Sequence, residues 1–232
     1  MGAKGNQVVI YSMVLDADSD LAMILPIPVK AGSPEKSVKF IDLSLDKNFF
    51  PMLDRAFPQL DTFGGRSSSG PFGGGGGRGR LEVQQVGSFD ASFVPTVSDF
   101  DRVDPEFRIE QGIWASLPEF KDHGFVVFKL RKGRARVHPM AFAYPARDTG
   151  RIVFPTVHIH DGEVHGEAKF DHSLYCQTSS PEVKMQWQES VALAAGYLKI
   201  LRLKGTVRGD EHVYKKQFVG AFENQDMSVA SS

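Results

Sequence analysis

Residues 180–205 read SPEVKMQWQESVALAAGYLKILRLKG, and the fold of this stretch decides whether the protein is α+β or essentially all β. Ser180, Pro181 and Glu182 make a helix start: a capping hydroxyl, a proline at the first helical position and an acid in the first turn. Val183, Trp187, Val191, Ala194, Ala195 and Leu198 follow as an apolar stripe. Gly205 is a natural stop, and Gly196 an earlier one. The spacing predicts one long C-terminal helix over 181–203, laid against an apolar sheet face.

Outward from there the chain reads as strands. Residues 212–222 (HVYKKQFVGAF) form a last strand, and 224–232 (NQDMSVASS) a disordered tail. At the other end, 7–15 (QVVIYSMVL) and 21–29 (LAMILPIPV) are almost continuously apolar and flank Asp16-Ala17-Asp18-Ser19-Asp20. This predicts a hairpin buried on both faces with an acidic turn. Pro26 and Pro28 lack ladder donors and put the end of the second arm at a sheet edge or past the sheet. Phe49, Phe50, Leu53 and Phe57 recur at helical spacing, predicting a short helix over 47–57, in which Pro51 must lie in the first turn or break the helix. The expected class is therefore α+β: predominantly antiparallel β-sheet, one long C-terminal helix and one short N-terminal helix.

The length, 232 residues, suits one large domain. Residues 64–80 (GGRSSSGPFGGGGGRGR) cannot build a packed core and read as a flexible Gly/Ser-rich insertion. The expected organisation is a single globular domain over 1–223 with that insertion, then the tail. The net charge of −1 gives no global attraction to nucleic acid or an anionic membrane. A single cysteine, Cys176, excludes an intramolecular disulfide framework. No apolar run is long enough to span a bilayer, and no leader is evident. A cytoplasmic location without membrane contact is the expectation.

Two segments carry chemistry. The first is 151–172, RIVFPTVHIHDGEVHGEAKFDH. Asp161-Gly162 between alternating runs is a strong hairpin signal. With that turn, His158, His160, Glu163 and His165 share one face, extended by Thr156 and Glu167. Val153, Val157, Ile159, Val164, Ala168 and Phe170 take the core face. Three imidazoles and a carboxylate on rigid strands suit a divalent transition metal such as zinc, with His158, His160 and His165 as ligands and Glu163 as fourth ligand or general base. An exposed polar face that meets water explains the same residues without metal. Nearby Cys176 and His172 lack any nucleophile motif, and a buried free thiol is the default.

The second is 125–142, FVVFKLRKGRARVHPMAF. With Lys132-Gly133 as a turn, Lys129, Arg131, Arg134 and Arg136 share a face, with His138 beyond them. Opposed like charges are destabilising. Water and salt at an exposed face, acids from elsewhere such as the acidic stretch 99–119, or an anionic ligand would offset them. Aromatic interleaving is missing from that face, which disfavours nucleic acid.

Two function classes follow. One is a β-rich binding or interaction module that offers the basic face to an anion or partner protein. The other is a metal-dependent enzyme, hydrolytic in kind, built on the histidine face. The first is favoured because no complete catalytic constellation assembles.

Overall fold

The two longest apolar runs, 6–27 and 124–145, find each other. In the computed structural model, strands β1 (Asn6–Tyr11), β2 (Val14–Ala17) and β3 (Leu21–Ile27) lie antiparallel to segments of the second run. Their partners are β9 (Met140–Pro145), β8 (Gly133–Arg136) and β7 (Gly124–Leu130) in turn. Asn6 stands opposite Pro145, Ala17 opposite Gly133 and Ile27 opposite Gly124. The register slips twice. Between Tyr11↔Met140 and Val14↔Arg136 the second run carries one extra residue, beside Pro139. Between Ala17↔Gly133 and Leu21↔Leu130 the first run carries it. Such extra residues bend a ladder and raise its twist, and the ribbon here is divided among three sheets. The structure describes residues 5–18, 21–57, 83–87, 89–105, 117–130, 132–136, 138–157 and 165–232, with backbone alone at 14–17, 21 and 133–136.

The hairpins expected within 7–29 and 125–142 are thus replaced by one long pairing between the two. The reason is edge occupancy. Strand β7 has two edges, and β3 and β6 (Phe89–Val94) take both, leaving no place beside it for β8. Strand β5 (Gln84–Val86) continues that sheet beyond β6, and β4 (Lys39–Asp42) flanks β9. Strand β3 is an edge strand, so Pro26 costs no ladder bond on its outer side.

The central strands are buried on both faces, which is why they read as continuous apolar runs. Val126, Phe128 and Leu130 pack with Met140, Phe142 and Tyr144, while Phe125 and Val127 pack with Phe100 and Phe120. Phe128 is the hub of the first cluster: its ring lies 5.9 Å from Phe40, 5.3 Å from Phe89 and 6.0 Å from Phe142. His138 is buried here too, stacked on Phe89 at 4.5 Å. It does not extend a basic face.

Residues 181–203 do not form one helix. Among the described residues the α-helices are α1 (Phe49–Asp54) and α2 (Pro181–Gln186), six residues each. The class is therefore mostly antiparallel β with short helices, and α+β with a long C-terminal helix is overturned. Helix α2 does start at Ser180-Pro181, but Trp187 is already extended at φ −109°, ψ 149°. Gln188–Glu189 then form β12 against β13 (Tyr214–Glu223). The Ser190 hydroxyl donates to the Ala192 carbonyl at 2.8 Å and accepts from the Val213 amide at 3.1 Å. Such local bonds compete with helix. The apolar residues are buried as expected, but in two cores: Val183 and Trp187 in one, Ala194, Leu198 and Leu203 in another. One straight helix could not serve both.

Strand β13 also pairs along its length with β11 (Glu167–Cys176). The expected loose tail is instead strand β14 (Met227–Ala230), paired with β10 (Arg151–Phe154). Ser231 is buried, its amide on the Gly150 carbonyl at 2.9 Å. The insertion 64–80 lies outside the described residues. Among those described, no helix is long and apolar enough to cross a membrane.

Candidate ligand-binding groove

Helix α2, the β10–β14 ribbon and β13 enclose an open groove of about 740 Å³. Its walls are aromatic because three elements each supply a ring there. Phe154 ends β10, and its ring stacks on Trp187, the residue that stops α2, at 5.9 Å. Phe218 and Phe222 lie four apart on β13, hence on one face, and meet edge-on at 5.8 Å. The Lys216 ammonium sits 5.5 Å above the Phe218 ring. At the rim, the Arg151 guanidinium donates to the Ser228 hydroxyl from Nε at 3.1 Å. Glu182 and Glu223 complete the charged rim.

The turn between β13 and β14 shapes one end of the groove. The Asn224 amide donates to the Gly166 carbonyl at 3.0 Å, and its Nδ2 to the His165 carbonyl at 3.1 Å. Oδ1 of Asp226 accepts the amides of Thr156 at 2.8 Å and Val157 at 3.1 Å. The Thr156 hydroxyl closes the set by donating to the Gln225 carbonyl at 2.9 Å. One turn thus holds the residues on both sides of segment 158–164.

The Asp226 carboxyl is the unusual group. Its Oδ2 is shielded from solvent and has no hydrogen-bond partner among the described residues. Burial, with a smaller push from Glu119, raises its pKa from the ordinary carboxylate range to about 6, against the pull of the two amides. The Tyr144 hydroxyl is also buried without a described partner, and burial and the nearby Asp226 charge push its pKa up. Two under-satisfied buried polar atoms that feel each other are uncommon in a native interior.

Of the residues singled out from sequence, the described ones fall as follows. Lys129 lies in β7, in register with Ala22 on one side and Asp90 on the other. Arg134 stands opposite Asp16 and Arg136 opposite Val14 on the β2–β8 pair. Of the acidic run expected as a turn, Asp16 and Ala17 lie in β2, so Asp16 is in backbone register with Arg134, as Asp90 is with Lys129. Arg131 lies outside the described residues, as do His158, His160, Glu163 and the Asp161-Gly162 turn. His165 is described and exposed. Thr156 and Glu167 do not pair: Thr156 is buried on the Asp226 turn, and Glu167 stands opposite Glu223. Among the described residues no group of three His, Cys, Asp or Glu side chains is close enough to hold a metal. Burial raises the Cys176 thiol to about 12, so it stays protonated and inert, as a buried thiol should.

Sequence reasoning missed Trp187, Phe154, Phe218, Phe222 and Asp226. The Phe218/Phe222 spacing on the last strand was a usable signal. Asn224-Gln225-Asp226 is turn chemistry, legible only once Met227–Ala230 is taken as a strand.

No family model matches the chain, and no curated protein matches it in sequence. Among solved structures, it is similar to a mutated baculovirus P35 after caspase cleavage, at 12% identity and a TM-score of 0.41, over 100% of this chain and 99% of that one. It is also similar to the caspase-8/P35 complex, at 10% identity and 0.47, over 98% of this chain and 92% of that one.

Proposed function

We propose that the protein is a binding module that takes a ligand with an apolar body in the groove between α2, β13 and the β10–β14 ribbon. The observation that carries this reading is the set of four rings lining one open space of about 740 Å³. Ligand sites are of this size, and this one joins aromatic walls to a rim rich in charged and polar groups and a carboxyl of shifted pKa. The test uses N-phenyl-1-naphthylamine, a neutral apolar dye. The folded protein should bind it at one saturable site, with energy transfer from Trp187. Phe154→Ala and Phe218→Ala should each weaken binding about fivefold or more at an unchanged fold, judged by circular dichroism. Absence of saturable binding rejects the reading.

A second reading keeps the histidine segment as a zinc-type centre, with His158, His160 and His165 as ligands and Glu163 as base. It is favoured by one observation: Val157 and His165, the residues flanking 158–164, are held by the same 224–226 turn, so the segment leaves and returns at one place. Stoichiometric metal in protein purified without a His tag, lost in His158→Ala, supports it. Metal-free protein rejects it.

A further inference from the structure

We infer that the groove selects an organic cation: an ammonium group carried on an apolar body, seated against the aromatic walls at the end formed by Asp226. The inference rests on the binding reading above and names the ligand class.

Three observations converge. Ring faces carry negative quadrupole potential and attract cations that have left water. The Phe218 ring already receives one, the Lys216 ammonium at 5.5 Å, so this wall is built to hold such a charge. The second is the Asp226 carboxyl, which lines the groove and whose Oδ2 has no hydrogen-bond partner among the described residues. A shielded carboxylate oxygen without a partner is costly, and a nearby cation lowers that cost. The third is the charge balance of the lining, where Glu182, Glu223 and Asp226 outnumber Arg151 and Lys216. An anionic ligand would meet the larger set of like charges.

The pH signature follows. With its pKa raised to about 6, Asp226 is largely protonated at pH 5 and ionised at pH 7.5. Besides the groove's own charges, the groups among the described residues that bear on it are Glu119 and the Tyr144 hydroxyl. A cation favours the ionised form, so cation affinity rises as pH climbs through about 6, while affinity for a neutral ligand does not.

The experiment displaces the bound dye with benzyltrimethylammonium and with neopentylbenzene, its neutral carbon isostere, at pH 5 and 7.5. At pH 7.5 the cation should bind about tenfold tighter than the isostere. That advantage should shrink at pH 5, and in Asp226→Asn, which keeps an acceptor for the Thr156 and Val157 amides, it should fall to one reduced level at both pH values, the share left to the ring faces. Lys216→Met, by vacating the Phe218 face, should strengthen cation binding. The Nα-acetyl amide of trimethyllysine, run alongside, tells a protein side chain from a free amine by which cation binds tighter. Equal binding of cation and isostere, or a cation advantage that ignores pH and Asp226→Asn, overturns the inference and leaves the groove reading standing. A dye that does not bind at all removes the groove reading itself.

Discussion

Gly87 shows how much one residue can carry. Its φ of +62° lies in the left-handed region, where a side chain is strained, and an added Cβ would collide with Nε2 of buried His138. Backbone strain and a clash in a closed core act together, so Gly87→Ala should cost roughly 2–4 kcal/mol. Urea unfolding with an unchanged m-value checks this; a loss under 0.5 kcal/mol would mean that His138 moves freely. His138 itself marks a limit of reading by alternation. Counting from a Lys132-Gly133 turn put it near the basic face, whereas the extra residue beside Pro139 shifts the phase and turns it into the core. The groove residues were hidden for a related reason. Phe154 and Asp226 gain their roles from a strand pairing 70-odd residues apart in the chain, which no local pattern announces.

At the scale of elements, what was legible was local. Helix α1 lies within the expected 47–57, with Pro51 in its first turn, and α2 begins at the expected Ser180-Pro181. The strands themselves were mostly visible as apolar runs. Their partners were not, because an Asp-rich or Lys-Gly interruption looks the same at a hairpin turn and at an irregularity in a long ribbon. Strand β14 was lost because Met227–Ala230 is short and bounded by polar residues. Its weight can be measured. A chain ending at Asp226 should melt about 5–10 °C lower, since β14 covers Ile152 and Phe154 and roughly 2–4 °C accompanies each kcal/mol in a domain of this size. A truly loose tail would leave the melting temperature unchanged.

For the molecule as a whole, two buried groups set opposing pH dependences. Burial, aided by the Arg147 charge, pushes His123 down to about 4. The stability it contributes is present above its unfolded value of about 6.5 and is lost as pH falls towards 4. Asp226 acts in reverse. Its pKa is raised to about 6, so its contribution is complete below about 4 and is lost as pH rises through 6. Relative to wild type, Asp226→Asn should lose roughly 1–3 kcal/mol between pH 6.5 and 4.5, and His123→Gln should gain a similar amount. Urea melts at half-unit pH steps read both, and parallel curves for all three proteins would show that neither group is buried as described. The long ribbon has a consequence in time as well. Residues 6–27 pair with residues 124–145, so the first run must wait while the chain between them is made. At about 5–20 residues per second that wait is about 5–20 s on the ribosome. For that interval an apolar segment lacks its partner, and such segments self-associate unless charges interrupt them. Asp16, Asp18 and Asp20 are those interruptions. Replacing Asp16 and Asp18 with valine should raise the insoluble fraction on expression well before it changes the stability of refolded protein, because the acids guard the nascent chain.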